Sequence, residues 1–174
     1  MTEEQYEKAR KRTIEYLDKA GIALADEEKQ KITVFDFGFG DLNNLGLELL
    51  VYVNTPRVCA KELVLFPRQT CVEHLHPTIG GVSGKEETFR CRWGKVYLYV
   101  PGESTPDIKA KIHENLKSYV TVFHEIELNP GEQYTLQPDT LHWFQAGDEG
   151  AVISEFSTTN TDEIDKFTDS RIKR

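Results

Sequence analysis

Two histidines one residue apart, His74 and His76, are the residues in this sequence best suited to metal chemistry. They lie in a segment, 70–76, whose composition is typical of a strand. Alternate side chains of a strand leave the same face, so both imidazoles are expected to point at one spot. Neutral imidazoles are common ligands of divalent transition metals. The spacing therefore predicts a metal site that a carboxylate and a third imidazole would complete.

The carboxylate comes from Glu86 or Glu87, and the third imidazole from His142. Both glutamates lie where the predicted strand 87–93 begins. Strand parity favours Glu87, because Phe89 and Cys91 share its face of the strand. His142 follows a turn that begins at a proline, and it opens the predicted strand 142–146.

These residues resemble the two signature motifs of the cupin superfamily, in the order His-x-His, Glu before Gly, and Gly…Pro…His. The glycine after the glutamate corresponds to Gly94, and this spacing also favours Glu87 as the ligand. The sequence departs from the usual pattern in two places. Residues 77–86 form a longer gap than most cupins have, and Pro138 lacks the glycine and trailing asparagine that usually follow it.

Two charged residues stand out in predicted strands that are otherwise apolar or small. Glu155 lies in strand 151–157, where a carboxylate either pairs with a cation or takes part in chemistry. Burial raises the pKa of a carboxyl group, which suits a general base that works near neutrality. Lys61 shares a strand face with Leu63 and Leu65. It either binds a substrate oxygen or extends its ammonium group to solvent at the mouth of a barrel.

Several other polar or aromatic residues near these segments are interpreted as structural. His113 and His124 lack partners in the sequence and are predicted not to bind the metal. Glu73 lies between the two strand histidines and should face away from them. Trp143 is predicted to belong to the core.

Strands make up most of the framework that would position these side chains. A helix is predicted from Thr2 to Ala20, with a capping box between Thr2 and Gln5. From residue 32 onward the pattern changes to short strands separated by Gly, Pro and Asn turns, which favours a mainly β jelly-roll barrel. The predicted strands are 32–39, 47–53, 58–66, 70–76, 87–93, 95–100, 119–128, 133–136, 142–146 and 151–157.

The length and charge of the chain restrict the alternatives. Its 174 residues suit one domain, with a helical segment at 1–31, a barrel at 32–157 and a closing segment at 158–174. A net charge of -8 argues against a nucleic-acid partner. The sequence lacks an apolar run of membrane-spanning length and a signal-peptide pattern. Three unevenly spaced cysteines suit reduced, buried thiols in the cytoplasm better than disulfides or a zinc site.

Much of the chain, from about Val53 to the end, resembles the cupin-type D-lyxose isomerases. The resemblance lies in segments 61–67, 73–77, 84–94, 138–144 and 154–157. It implies an enzyme that interconverts D-lyxose with D-xylulose and D-mannose with D-fructose, commonly as a homodimer. It implies one divalent metal ion, Mn²⁺ by preference over Co²⁺, Fe²⁺ or Zn²⁺. The resemblance places the metal ligands at His74, His76, Glu87 and His142 and the catalytic groups at Glu155 and Lys61.

The predicted chemistry is a proton transfer through a cis-enediol, with Glu155 as the base. A hydride shift is disfavoured because the sequence shows one metal constellation rather than two. Asp165 and Arg171, in the tail, are candidates to close over the site. Two other hypotheses remain open at this stage: an iron-dependent cupin dioxygenase and a sugar-binding cupin without turnover.

Overall fold

The computed structural model describes residues 1–160 and 162–172. Helix α1 spans Glu3–Lys19, and its N-terminus has the predicted capping box, with Thr2 and Gln5 bonding each other's backbone. Because this box satisfies two otherwise unpaired amide groups, it defines where the helix begins. A second, short helix, α2, spans Asp26–Lys31.

The described strands form one antiparallel sheet that curls on itself, as the predicted jelly roll requires. Its strands are β1 (Thr33–Phe35), β2 (Leu47–Asn54), β3 (Cys59–Leu65), β4 (Thr70–Leu75), β5 (Glu87–Val100), β6 (His124–Leu128), β7 (Gln133–Leu136), β8 (His142–Ser157) and β9 (Lys166–Phe167). One path through the sheet runs β1-β2-β3-β8-β4-β9, and β5 joins β8 to β6 and β7. Strand β8 is therefore the element that holds the two halves together.

Two strands are longer than predicted, because positions interpreted as turns are irregularities within continuous strands. Segments 87–93 and 95–100 form the single strand β5, and segments 142–146 and 151–157 form β8. The β5–β8 pairing shifts register on either side of Gly94. A bulge of this kind bends a strand without ending it. Each long strand thus contributes to both halves of the barrel.

Two other predicted strands are shorter in the structure. Segment 32–39 is reduced to β1, because Phe37 adopts a positive φ of 53° and starts the turn. Segment 119–128 is reduced to β6, because the Glu73 carboxylate binds the backbone amides of Thr121 and Val122. A side chain thus takes donors that a strand ladder would otherwise use.

Alternating side chains divide the apolar residues into an inner core and an outer core. On β3, Leu63 and Leu65 join the core inside the barrel, whereas Val64 packs with the outer cluster. Helix α1 covers that outer cluster through Ala9, Tyr16 and Leu17. The three cysteines are free and buried, as predicted.

The tail of the chain folds back onto the barrel. Strand β9 pairs with β4 in a register that sets Phe167 opposite His74. Thr161, Lys173 and Arg174, which belong to the predicted closing segment, lie outside the described residues. In the described part of the chain, each helix is too short or too polar to cross a bilayer.

Replacing Gly94 with alanine is expected to destabilise the fold by about 2–3 kcal/mol, because alanine disfavours a positive φ and this site has no room. Gly94 has φ +72°, and a Cβ there would lie 2.1 Å from the Gly150 carbonyl oxygen. Gly131→Ala is the matched control, since Gly131 has φ +93° with open space around it. Urea unfolding should show a clearly smaller loss for Gly131→Ala, and equal losses would contradict the role of the close approach.

Candidate functional site

A cavity of about 590 Å³ lies within the barrel, and five of the six predicted site residues line it. The five are Lys61, His74, His76, Glu87 and Glu155. The sixth, His142, is fully buried, and its Nε2 lies 3.1 Å from Oε1 of Glu87. The structure therefore brings all six predicted side chains into one region.

The three imidazoles converge because two strands are paired in register. His74 on β4 lies directly opposite His142, the first residue of β8. His76 follows the end of β4. One ligand atom from each histidine lies within 4.8 Å of those of the other two, a spacing that could hold a metal ion.

Hydrogen bonds fix the orientation of two of these rings. Nδ1 of His74 lies 2.8 Å from the Val72 carbonyl oxygen, and Nδ1 of His142 lies 2.9 Å from that of Thr140. A carbonyl oxygen only accepts, so each Nδ1 carries the proton and donates it. Burial is the main cause that lowers the pKa of His74 well below its ordinary value. In a neutral ring of this tautomer, Nε2 keeps a lone pair for a cation.

The contact between His142 and Glu87 tests whether a metal fits. Nε2 of His142 is buried without a hydrogen-bond partner among the described residues, although Oε1 of Glu87 is 3.1 Å away. A lone pair and a carboxylate oxygen at this distance repel each other unless a positive charge lies near both. Three imidazoles and one carboxylate suit Mn²⁺, Fe²⁺, Co²⁺ or Zn²⁺. The donor set therefore fits a divalent transition metal.

Glu87, rather than Glu86, is the glutamate that faces the histidines. Glu87 is buried at the start of β5, whereas the Glu86 side chain is exposed. Burial alone would raise the pKa of Glu87, but the Lys85 ammonium group and the contacts with His142 and His76 together outweigh it and hold this pKa well below its usual value. Glu87 therefore remains a carboxylate, the form that binds a cation.

His76 is held by two carboxylates. Its Nδ1 lies 2.5 Å from Oδ1 of Asp165, and its Nε2 lies 3.1 Å from Oε1 of Glu87. Burial disfavours the imidazolium, but these two contacts outweigh it and raise the pKa of His76 to about 9. A metal that binds Nε2 would displace the proton from that nitrogen. Asp165, a candidate from the tail, thus contacts the site through His76.

Glu155 lies between two ammonium groups. Its Oε1 is 3.3 Å from Nζ of Lys61, the residue opposite it on β3, and 3.1 Å from Nζ of Lys85. Lys61 is only 3% exposed and also donates to Oδ1 of Asn160, so its ammonium group does not extend to solvent. Glu155 has the cation partners of a structural ion pair, yet it also lines the same cavity as His74 and His76.

Sequence reasoning missed Lys85, although it is one of the most buried charged groups of the site. It lies in the glycine-rich gap 77–86, whose pattern indicates a longer hairpin loop. The one available signal was its spacing, because Lys85 precedes Glu87 by two residues, as side chains on one strand face do. The gap therefore contributes a charge to the site and is more than a connection.

The residues interpreted as structural lie away from the three imidazoles. The Glu73 carboxylate accepts from Thr121, and Trp143 stacks on Tyr99 with ring centroids 4.0 Å apart. His113 lies 3.4 Å from Asp41. His124 contacts the Glu103 carbonyl oxygen, and Arg171 pairs with Asp169. The interpretation of Arg171 as a group that closes the site is not supported by these contacts.

Aromatic side chains surround the polar centre. Phe167 from β9 lies 5.7 Å from His74, and Phe89 lies 6.2 Å from His142, measured between ring centroids. Phe37 packs at 6.3 Å from Phe167. Such walls exclude water and strengthen electrostatic interactions inside the site.

Comparisons with known proteins agree with this architecture. The sequence profile of the family described as D-lyxose isomerase matches residues 101–174. A D-lyxose ketol-isomerase from Thermofilum sp. is 63% identical over 174 residues, which cover 100% of this chain and 97% of that protein. A D-lyxose/D-mannose isomerase from Thermosediminibacter oceani is 65% identical over 160 residues, which cover 92% of this chain and 88% of that protein.

Solved structures show the same fold at low sequence identity. The L-ribose isomerase of Cellulomonas parahominis has a TM-score of 0.82 at 12% identity, covering 99% of this chain and 94% of that chain. The L-ribose isomerase of Acinetobacter sp. DL28, solved with L-ribose, gives the same TM-score, identity and coverage. These matches confirm the predicted cupin barrel. With relatives more than half identical over nearly their whole length, the chain belongs to the D-lyxose isomerase family.

Proposed function

We propose that this chain is a metal-dependent aldose–ketose isomerase that interconverts D-lyxose with D-xylulose and D-mannose with D-fructose. The observation that carries the proposal is that three imidazoles cluster around the Glu87 carboxylate at the wall of a cavity that Glu155 also lines. The names of the relatives supply the sugars. The two aldoses share their stereochemistry next to the reacting carbons, so one pocket can serve both. Mn²⁺ and a homodimer are further parts of the proposal, and both rest on the family resemblance.

His74, His76, Glu87 and His142 would hold the metal ion. A divalent ion bound there would polarise the sugar carbonyl and offset the negative charge that develops on the two neighbouring oxygens. The backbone carbonyls behind His74 and His142 keep those rings oriented. Asp165 does the same for His76.

Glu155 would transfer the proton between the two carbons. Its carboxylate takes the proton from C2 of the aldose, the C2 electron pair forms the double bond of a cis-enediol, and the same carboxyl group returns the proton to C1. One further proton moves from the C2 hydroxyl to O1, so the atoms balance. Lys61 would stabilise the charge on the sugar oxygens, since its ammonium group lies beside Glu155.

Metal removal and solvent exchange test this proposal together. We expect protein stripped of metal to lose ketose formation from D-lyxose and to regain it with Mn²⁺. Product formed in D₂O should carry deuterium at C1, because the proton on Glu155 exchanges with solvent. Complete absence of deuterium would contradict the enediol route. Oxygen uptake without ketose formation would favour a dioxygenase. Sugar binding without interconversion of aldose and ketose would favour a binding protein.

A further inference from the structure

One buried lysine joins the two carboxylates of the site. Nζ of Lys85 lies 2.8 Å from Oε2 of Glu87 and 3.1 Å from Oε1 of Glu155. The side chain is 3% exposed, so both contacts are shielded from water. In such surroundings an ion pair with good geometry orients its partners strongly. Lys85 therefore links the proposed metal ligand directly to the proposed base.

The contacts with Glu155 are unevenly divided between its two oxygens. Lys85 and Lys61 both approach Oε1, at 3.1 Å and 3.3 Å. Among the side chains that the structure describes, no ion pair or hydrogen bond falls on Oε2 of Glu155. Glu155 lines the cavity. The lysines therefore hold one oxygen and leave the other to face a ligand in the cavity.

Each of the two lysines also contacts a second described side chain. Lys61 donates to the amide oxygen of Asn160. Lys85 contacts Glu87, whose other oxygen lies 3.1 Å from both His76 and His142. Any displacement of the Glu87 carboxylate would thus be transmitted to Glu155 through Lys85. The same contact fixes the distance between the base and the metal ligands.

We propose that Lys85 is a positioning residue, which holds Oε1 of Glu155 so that Oε2 makes the proton transfer between C2 and C1. This inference rests on the proposed function and adds to it the atom that acts and the residue that orients it. Lys85 neither donates nor accepts a proton in the reaction. Its role is geometric, because proton transfer from carbon requires a closely placed acceptor.

Lys85→Met tests this role, since it keeps the length of the side chain and removes the ammonium group. We expect kcat to fall about 100-fold, with KM changed only a few-fold. The primary isotope effect with D-lyxose deuterated at C2 should rise, because a misplaced base makes C–H cleavage more rate-limiting. A merely structural loss would lower the amount of active protein and leave the isotope effect unchanged. A kcat within about threefold of wild type would overturn the proposal.

Lys95→Met is the matched control, because it makes the same substitution at a lysine of β5 whose ion pair, with Glu127, lies outside the cavity. Its kcat and isotope effect should equal those of wild type. Metal content is measured on every variant, so that a lost metal is not mistaken for a misplaced base.

A crystal structure supplies a readout that does not depend on turnover. The metal-loaded wild-type protein is soaked with D-arabitol, the reduced and unreactive form of D-lyxose. We expect the Glu155 oxygen that is free of lysine contacts to face C1 and C2 of the polyol. If the lysine-bound oxygen faces them, the proposal is wrong.

In metal-loaded Lys85→Met, the Glu155 carboxylate should rotate away from its wild-type position. This result stands even if wild-type protein fails to isomerise D-lyxose, which would instead refute the proposed function.

Discussion

Replacing Glu155 with glutamine is expected to lower kcat for D-lyxose by about 1,000-fold or more, while the metal stays bound. The amide keeps the size of the side chain but cannot accept the proton from C2. Glu155 is directly opposite Lys61 on β3 and Phe89 on β5, so its position is fixed from both sides. The measurement is steady-state ketose formation at saturating Mn²⁺, with metal content determined on the same sample.

Glu62→Gln is the matched control for this substitution. Glu62 is also buried, at 5% exposure, but it lies on the opposite face of β3 and accepts from Ser154. This variant should keep kcat within a few-fold of wild type even if its stability falls. Normal turnover by Glu155→Gln would show that another group takes the proton, and equal losses in both variants would point to a general structural effect.

The features that the sequence predicted well are those that local patterns encode. The His74-x-His76 spacing follows from strand parity alone, and the capping box at Thr2 is contained in four residues. Strand parity also predicted that Glu87, rather than Glu86, faces the histidines, and the structure places Glu87 against His76 and His142. In each case the relevant geometry spans a few residues, so the inference needs no knowledge of the rest of the chain.

The features that sequence reasoning missed depend on contacts between distant segments. Gly94 was interpreted as a turn because glycine at a positive φ is common in turns, whereas here it forms a bulge against Gly150. Lys85 lies in a gap without periodicity, and only its ion pairs with Glu87 and Glu155 reveal its place. Such pairings depend on the curled sheet, and the sequence holds no signal of them beyond the two-residue spacing between Lys85 and Glu87.

The long strands explain how remote residues form one site. Strand β8 carries His142 at its first residue and Glu155 thirteen positions later, and it pairs with β4 through one half and with β3 through the other. Because β5 follows β8 along most of its length, Glu87 is brought to the same region. A break in β8 would therefore separate the proposed base from the proposed metal ligands. Continuity of this strand is what the site requires.

Replacing His142 with alanine is expected to weaken Mn²⁺ binding by at least about 100-fold and to abolish ketose formation at low metal concentration. The substitution removes the nitrogen that is buried 3.1 Å from Glu87 without a hydrogen bond among the described residues. Isothermal titration with Mn²⁺ measures the loss. His113→Ala is the control, since His113 is paired with Asp41 away from the three imidazoles, and it should bind Mn²⁺ as wild type does.

The response of the melting temperature to Mn²⁺ separates a metal ligand from a structural histidine. If His142 serves the metal, excess Mn²⁺ should raise the melting temperature of wild type and His113→Ala, because a ligand that binds only the folded state stabilises it. The same Mn²⁺ should leave His142→Ala nearly unchanged. An equal rise in all three proteins would mean that the ion binds without His142, and the four-ligand site proposed here would have to be abandoned.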